Sequence, residues 1–368
     1  MELLPTLLAV GLLFSLAFAN GANDVSKAIA TLAGAGLTSV RRAVAWGTLW
    51  TVAGAFAGLL WGSAMIKNIG GSVFSETHDF YMPAALAVAV APILWVAIAT
   101  RRKWPVSTTH AIVGGLIGTG LTAYGAQGIH WSAIFSNIAL PLLVSPFMAI
   151  ALAWILTPAL KRSVSATNRI RLCLTPVPKF ALVSAYTQTQ ASQEDCLVCS
   201  CDSPQARMTH GLTLSVDHLH WLTSGLLSFS RGLNDTPKLI AVVLPVLLLG
   251  GQTAPAWLFI WGALAMGLGG LVAGGAITEV LGFKVTKMNH EQGFSANLVA
   301  ALLVIGASRF GLPVSTTHVS SSAIMGVGLA NRTSLNMTTI TAMLFAWLVT
   351  APVTGIFAAM IYMAGSAF

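Results

Sequence analysis

Two short stretches of this chain place polar and charged side chains inside apolar sequence, and each stretch occurs twice. The first is Phe18-Ala19-Asn20-Gly21-Ala22-Asn23-Asp24-Val25-Ser26-Lys27. Residues Phe229 to Lys238 repeat its Phe, Gly, Asn, Asp and Lys 211 residues further on, as Gly232, Asn234, Asp235 and Lys238. The second is Pro105-Val106-Ser107-Thr108-Thr109-His110, which returns unchanged at Pro313 to His318, 208 residues further on. A charged side chain at bilayer depth costs about 2.5–3.5 kcal/mol on insertion scales, so both Asn-Asp stretches are candidate functional sites.

The chemistry of the two motifs is opposite in sign. Proline followed by Ser107, Thr108 and Thr109, and likewise by Ser315, Thr316 and Thr317, marks a helix start. Free backbone N–H groups and the positive dipole end attract anions there, and the hydroxyls add neutral donors. Two such starts facing one another would cradle a tetrahedral oxyanion, whereas one alone is read as simple N-capping. Asp24 and Asp235 repel an anion and suit a cation. With Asn23 and Asn234 and unwound backbone carbonyls they offer oxygen-only ligation fit for Na⁺. A protonatable aspartate would instead serve H⁺ or bond a monoprotonated anion. The plainer reading is an ion pair of Asp24 with Lys27, and of Asp235 with Arg231 or Lys238. His110 and His318 sit at matching places and are read as packing residues.

The elements that position these residues are membrane helices. Of 368 residues 55% are hydrophobic and 8% charged, against about 25% charged in an ordinary soluble domain. Apolar stretches of about 20 residues follow one another with short breaks. The first, Leu3 to Ala19, lacks the basic start of a secretory signal and is read as a retained span. Further spans are expected near Ala43–Met65, Tyr81–Thr100, Trp131–Leu156, His218–Leu249 with the second Asn-Asp stretch, Trp257–Ile277, Ala296–Ala307 and Thr338–Ala364. The Asn-Asp stretch should break its helix at Gly21, and each Pro-Val-Ser-Thr-Thr-His motif should open a re-entrant half-helix. The fold class is therefore an all-α membrane protein, a multi-span bundle of two inverted-topology repeats with broken helices and re-entrant hairpins. Repeat 1 takes residues 1–157, a polar segment 158–217, and repeat 2 residues 218–368.

The net charge of +8 does not indicate nucleic acid, because the basic residues form short clusters between spans and no continuous stripe. Arg41 and Arg42, then Arg101 to Lys103, then Lys161 to Lys179 mark a cytoplasmic face in contact with membrane lipid, which places both termini outside and the polar segment inside. Cys196, Cys199 and Cys201 in that segment spell C-x2-C-x-C. Zinc there, with His210 or Cys173 as fourth ligand, is a minor reading beside a flexible or regulatory loop. No nucleophile and base share a motif outside the candidate site, so the chain is not read as an enzyme. A channel or a transport-inactive anion sensor is disfavoured by the duplicated, occluded-looking broken helices.

The residues Gly21-Ala22-Asn23-Asp24-Val25, Gly232-Leu233-Asn234-Asp235 and the paired Pro-Val-Ser-Thr-Thr-His motifs resemble the inorganic phosphate transporter (PiT) family. Thr278-Glu279 and Gln292 to Ala296 extend the likeness over nearly the whole chain. The resemblance implies a homo-oligomeric symporter, taken as a dimer in a cell inner (plasma) membrane, moving phosphate with Na⁺ or H⁺ by rocking or elevator motion. It puts Ser107, Thr108, Thr109, Ser315, Thr316 and Thr317 on phosphate, and Asn23, Asp24, Asn234 and Asp235 on phosphate and cation. Sulfate is the alternative substrate on the same fold. The sequence departs from the family pattern at Arg231, Leu233, Thr236 and Pro237, and the span Ala43–Met65 holds no glutamate. A buried Arg231 would draw the anion or neutralise Asp235, and either would change the ion stoichiometry.

Overall fold

The computed structural model describes residues 3–71, 73–74, 82–167, 215–247 and 254–367. Glu76, His78 and Asp79 of the connection before the third span, and Cys173, Cys196, Cys199, Cys201 and His210, lie outside these residues. Apart from turns and one isolated bridge between Phe74 and Ile129, the described residues form helices: α1 (Leu3–Asp24), α2 (Ser26–Gly34), α3 (Val40–Trp61), α4 (Ser63–Ile66), α5 (Met82–Arg101), α6 (Thr108–Tyr124), α7 (Trp131–Ala133) and α8 (Leu140–Thr167) precede the polar segment. After it come α9 (Val216–Leu247), α10 (Ala256–Ala273), α11 (Gly275–Phe283), α12 (His290–Arg309), α13 (Thr316–Ala330) and α14 (Met337–Ser366).

Among the described residues, six helical stretches are long and apolar enough to cross a membrane, and the protein is a multi-pass membrane protein. Burial divides the helices by task. From Thr223 to Val246, α9 is almost wholly buried, as are Ala19 to Ala33 across α1 and α2. In contrast α8 and α14 expose Leu143, Phe147, Trp154, Phe345, Leu348 and Ile356, the apolar surface that lipid would cover. At 17 and 15 residues, α6 and α13 reach roughly 25 Å and 23 Å, less than a hydrocarbon core of about 30 Å. They are short helices starting inside the bundle, as the hairpin motifs require.

The packing exchanges partners between the halves. α1 lies against α10 and α3 against α9, while α6 lies against α14 and α13 against α8. These pairs interconvert when each element is replaced by its counterpart in the other half. Close glycine contacts repeat the exchange: a Cβ on Gly54 would meet the Phe229 carbonyl oxygen at 1.9 Å, and one on Gly269 would meet that of Phe18 at 2.0 Å. Only a missing side chain lets these backbones approach, the small-residue packing that associates helices in lipid.

Three boundaries differ from the sequence expectation, each for a local reason. The break in the first Asn-Asp stretch narrows to Val25, whose N–H still bonds to the Gly21 carbonyl at 3.2 Å. The second stretch runs through α9 unbroken, with Pro237 inside it. Near the end of repeat 1, α8 continues past Pro158 to Thr167, ten residues into the expected polar segment. Before α8, a π turn over Ile134–Ala139 leads up to Pro141, which cannot donate to the carbonyl one turn back.

Candidate functional site

Each hairpin start is built by its proline. Pro105 and Pro313 cannot donate a backbone hydrogen bond, so the chain stays extended through Val106 and Val314 until a serine caps the helix. Ser107 (φ −96°, ψ 113°) accepts from the His110 N–H, and Ser315 (φ −87°, ψ 109°) from that of His318, both at 3.2 Å. Two consequences follow. The N–H groups of Thr108, Thr109, Thr316 and Thr317 lie ahead of any intrahelical acceptor. The Val106 and Val314 carbonyls are likewise left outside the helical ladder.

Those carbonyls fasten the halves together. Thr317 Oγ1 donates to Val106 O at 2.9 Å, and Thr109 Oγ1 donates to Val314 O at 3.4 Å, each reaching from one repeat into the other. The rings of His110 and His318 meet with centroids 4.4 Å apart, and His318 lies on Trp347 at 3.9 Å. The histidines are thus packed at the seam, where His110 Nδ1 also contacts Ser107 Oγ at 2.9 Å. The two helix starts meet at this seam.

Beside them the two Asn-Asp stretches converge on Asn20. Its Nδ2 lies 3.1 Å from Asp24 Oδ2, 3.1 Å from Thr108 Oγ1 and 3.5 Å from Asp235 Oδ2. One amide therefore lies between the two carboxylates. Asn20 is the counterpart of Arg231, whose Nη1 donates to Asn20 Oδ1 at 3.4 Å and whose Nη2 donates to Thr51 Oγ1 at 2.7 Å. Arg231 is 1% exposed and its Nε has no partner among the described residues. Lys27 pairs with Asp24, and Lys238 with Asp235 at 3.1 Å, both lysines also 1% exposed. Three buried cations against two buried carboxylates leave one formal positive charge.

Not every candidate points into this cluster. Asn23 Nδ2 donates to Thr100 Oγ1 at 3.0 Å and to Trp104 O at 3.1 Å, and Asn234 Nδ2 donates to Ser308 Oγ at 2.8 Å. These matching bonds tie the stretches to the ends of α5 and α12, and leave Asn23 Oδ1 and Asn234 Oδ1 buried without partners among the described residues. Ser107 and Ser315 act as caps, and Thr109 and Thr317 hold the opposite repeat. Thr316 is buried at the start of α13, beside Ser315. Glu279 is exposed and makes no ion pair with Lys284 or Lys287.

Asn20 and Thr51 are functional candidates that motif reading passed over. Asn20 stands in the motif beside the more conspicuous Asn23, and only its pairing with Arg231 across the duplication marks it. The symmetry also fails in one place. Thr31, His220, Ser224 and Asn297 form a buried polar cluster, with His220 Nε2 3.0 Å and Asn297 Nδ2 2.8 Å from Thr31 Oγ1. The positions matching Thr31, His220 and Asn297 in the other half are Val242, Ala9 and Ala89.

This architecture has known relatives. The phosphate transporter family profile matches residues 20–358. The chain belongs to that family. A solved structure described as "The sodium-dependent phosphate transporter" superposes over all of both chains with a TM-score of 0.81 at 26% identity. The "Probable low-affinity inorganic phosphate transporter" of Bacillus subtilis is 28% identical over 98% of this chain and 97% of its own length. "Inorganic phosphate transporter 2-1, chloroplastic" of Arabidopsis thaliana is 28% identical over 92% of this chain and 68% of its own.

Proposed function

We propose that this chain is a secondary carrier that imports inorganic phosphate with a coupling cation, Na⁺ or H⁺, by alternating access around one site built from both repeats. The observation that carries this reading is the meeting of two Ser-Thr-Thr helix starts, one from each repeat, beside a buried cluster with net positive charge. Free N–H groups at both starts, the Thr108 and Thr316 hydroxyls and the unpartnered Arg231 Nε supply donors for a tetrahedral oxyanion. Asp24 and Asp235 favour phosphate over sulfate, because H₂PO₄⁻ has protons to donate to a carboxylate and a sulfate dianion has none.

Residues 1–157 and 218–368 serve as inverted repeats in this reading, and the packing exchange between halves supports it. Rocking of one repeat against the other would part the Thr317–Val106 and Thr109–Val314 contacts and open the site to one side. The basic clusters support a cytoplasmic 158–217 segment and termini outside a cell inner membrane. A homodimer is the assembly proposed.

Counterflow tests the reading. In proteoliposomes loaded with unlabelled phosphate, labelled phosphate should accumulate transiently against its gradient, and sulfate should compete poorly. Simple equilibration without overshoot would identify a channel, and equal competition by sulfate would replace the substrate.

A further inference from the structure

At Asp24 and Asp235 the oxygens that would bind sodium are already held by nitrogens of this chain. Lys27 Nζ donates to the Asp24 carboxylate and to Val106 O, the latter at 2.9 Å. Lys238 Nζ donates to Asp235 Oδ1 at 3.1 Å, Val314 O at 2.6 Å and Thr109 Oγ1 at 3.0 Å. Three bonds use all three donors of an ammonium group. Carboxylate, unwound backbone carbonyl and hydroxyl are the oxygens a half-helix carrier offers to Na⁺. Here carboxylate and carbonyl surround Lys27, and carboxylate, carbonyl and hydroxyl surround Lys238, so two pseudo-equivalent cages are each filled by a lysine one helical turn after its aspartate, where helix geometry delivers it.

The charge count points the same way. With each Lys–Asp pair formally neutral, Arg231 supplies the surplus, since its partners Asn20 and Thr51 are uncharged. A phosphate monoanion cancels that surplus, whereas each sodium ion would enlarge it. Asn23 Oδ1 and Asn234 Oδ1, without partners among the described residues, remain available to a cation. They are neutral amides beside a positive cluster, and each nearby carboxylate is already paired with a lysine.

We propose that Lys27 and Lys238 are built-in counter-cations standing in the two pseudo-equivalent cation positions, so that this chain carries phosphate monoanion without sodium. The inference rests on the phosphate-carrier reading and decides its coupling ion against Na⁺.

The test uses the purified full chain in proteoliposomes, with labelled phosphate exchanging against internal phosphate and sodium, potassium or choline chloride as the only salt. Initial rates should agree within about twofold, and a fall of about tenfold or more when choline replaces sodium overturns the inference. Lys27→Asn combined with Lys238→Asn empties both cages and exposes both carboxylates. Its exchange should become sodium-dependent, and exchange that stays indifferent to sodium shows that the lysines do not stand in for a cation. Should this variant elute as aggregate in size-exclusion chromatography, the wild-type comparison decides alone. Absence of phosphate exchange in every salt refutes the carrier reading instead.

Discussion

Asn20→Ala probes the residue on which both halves converge. The amide has two hydrogens and three acceptors within reach, so it makes two good bonds, to Asp24 and Thr108 at 3.1 Å, and a longer contact to Asp235 at 3.5 Å. Its carbonyl accepts from Arg231. Alanine leaves Arg231 Nη1, Asp24 Oδ2 and Thr108 Oγ1 each short of a partner, and a buried group without one costs about 1–3 kcal/mol. Water entering the vacated space would satisfy part of this. The expected net loss is therefore about 2–4 kcal/mol, divided between stability and phosphate affinity. Thermal unfolding in detergent should show a lower Tm. The half-saturating phosphate concentration in exchange should rise by about tenfold for each 1.4 kcal/mol that falls on binding. Asn20→Asp keeps the shape but sets a third carboxylate beside two others, and should depress anion binding further. An alanine variant with wild-type Tm and wild-type half-saturation would refute the bridging role.

The remaining predictions concern the pairs, the caps, the packing and the polar segment. Asp24→Asn strands Lys27, and breaking one partner of a buried pair costs about 3–5 kcal/mol; adding Lys27→Met should restore the Tm without restoring exchange, and restored exchange would show the pair to be structural only. Ser107→Ala with Ser315→Ala removes two caps at about 1 kcal/mol each, measurable by thermal unfolding, and an unchanged phosphate half-saturation would confine both serines to capping. Gly54→Ala drives a methyl group into the Phe229 carbonyl and should destabilise by about 1–3 kcal/mol or more, with a wild-type Tm contradicting the close α3–α9 contact. Replacing residues 190 to 203 with a Gly/Ser linker should spare exchange in vesicles, and its loss would make that segment part of the carrier.

Much of the fold was legible because lipid leaves few choices. Long apolar runs must be helices, since only helices satisfy their own backbone there, and the duplicated motifs announced two halves. The site was legible in its motifs and less so in its division of labour. Ser-Thr-Thr reads as three equivalent donors, yet position decides: the serine caps its own helix, while Thr109 and Thr317 reach into the opposite repeat. That reach depends on two prolines exposing the Val106 and Val314 carbonyls to a partner some 200 residues away, which local pattern does not encode. Asn20 escaped for the same reason, because its weight comes from Arg231 across the bundle. The ion-pair reading of Asp24 with Lys27 was open from their spacing alone. That the third cation, Arg231, hydrogen-bonds to Asn20 and Thr51 and to neither carboxylate required three-dimensional contacts.

The central claim is that hydroxyl-bearing helix starts from both halves close on one anion. Determining the structure of the protein in lipid nanodiscs at saturating phosphate tests it most directly. The account predicts a tetrahedral density between Ser107–Thr109 and Ser315–Thr317, within hydrogen-bonding distance of Arg231 or Asn20. Phosphate bound elsewhere, or held by one repeat alone, would contradict it.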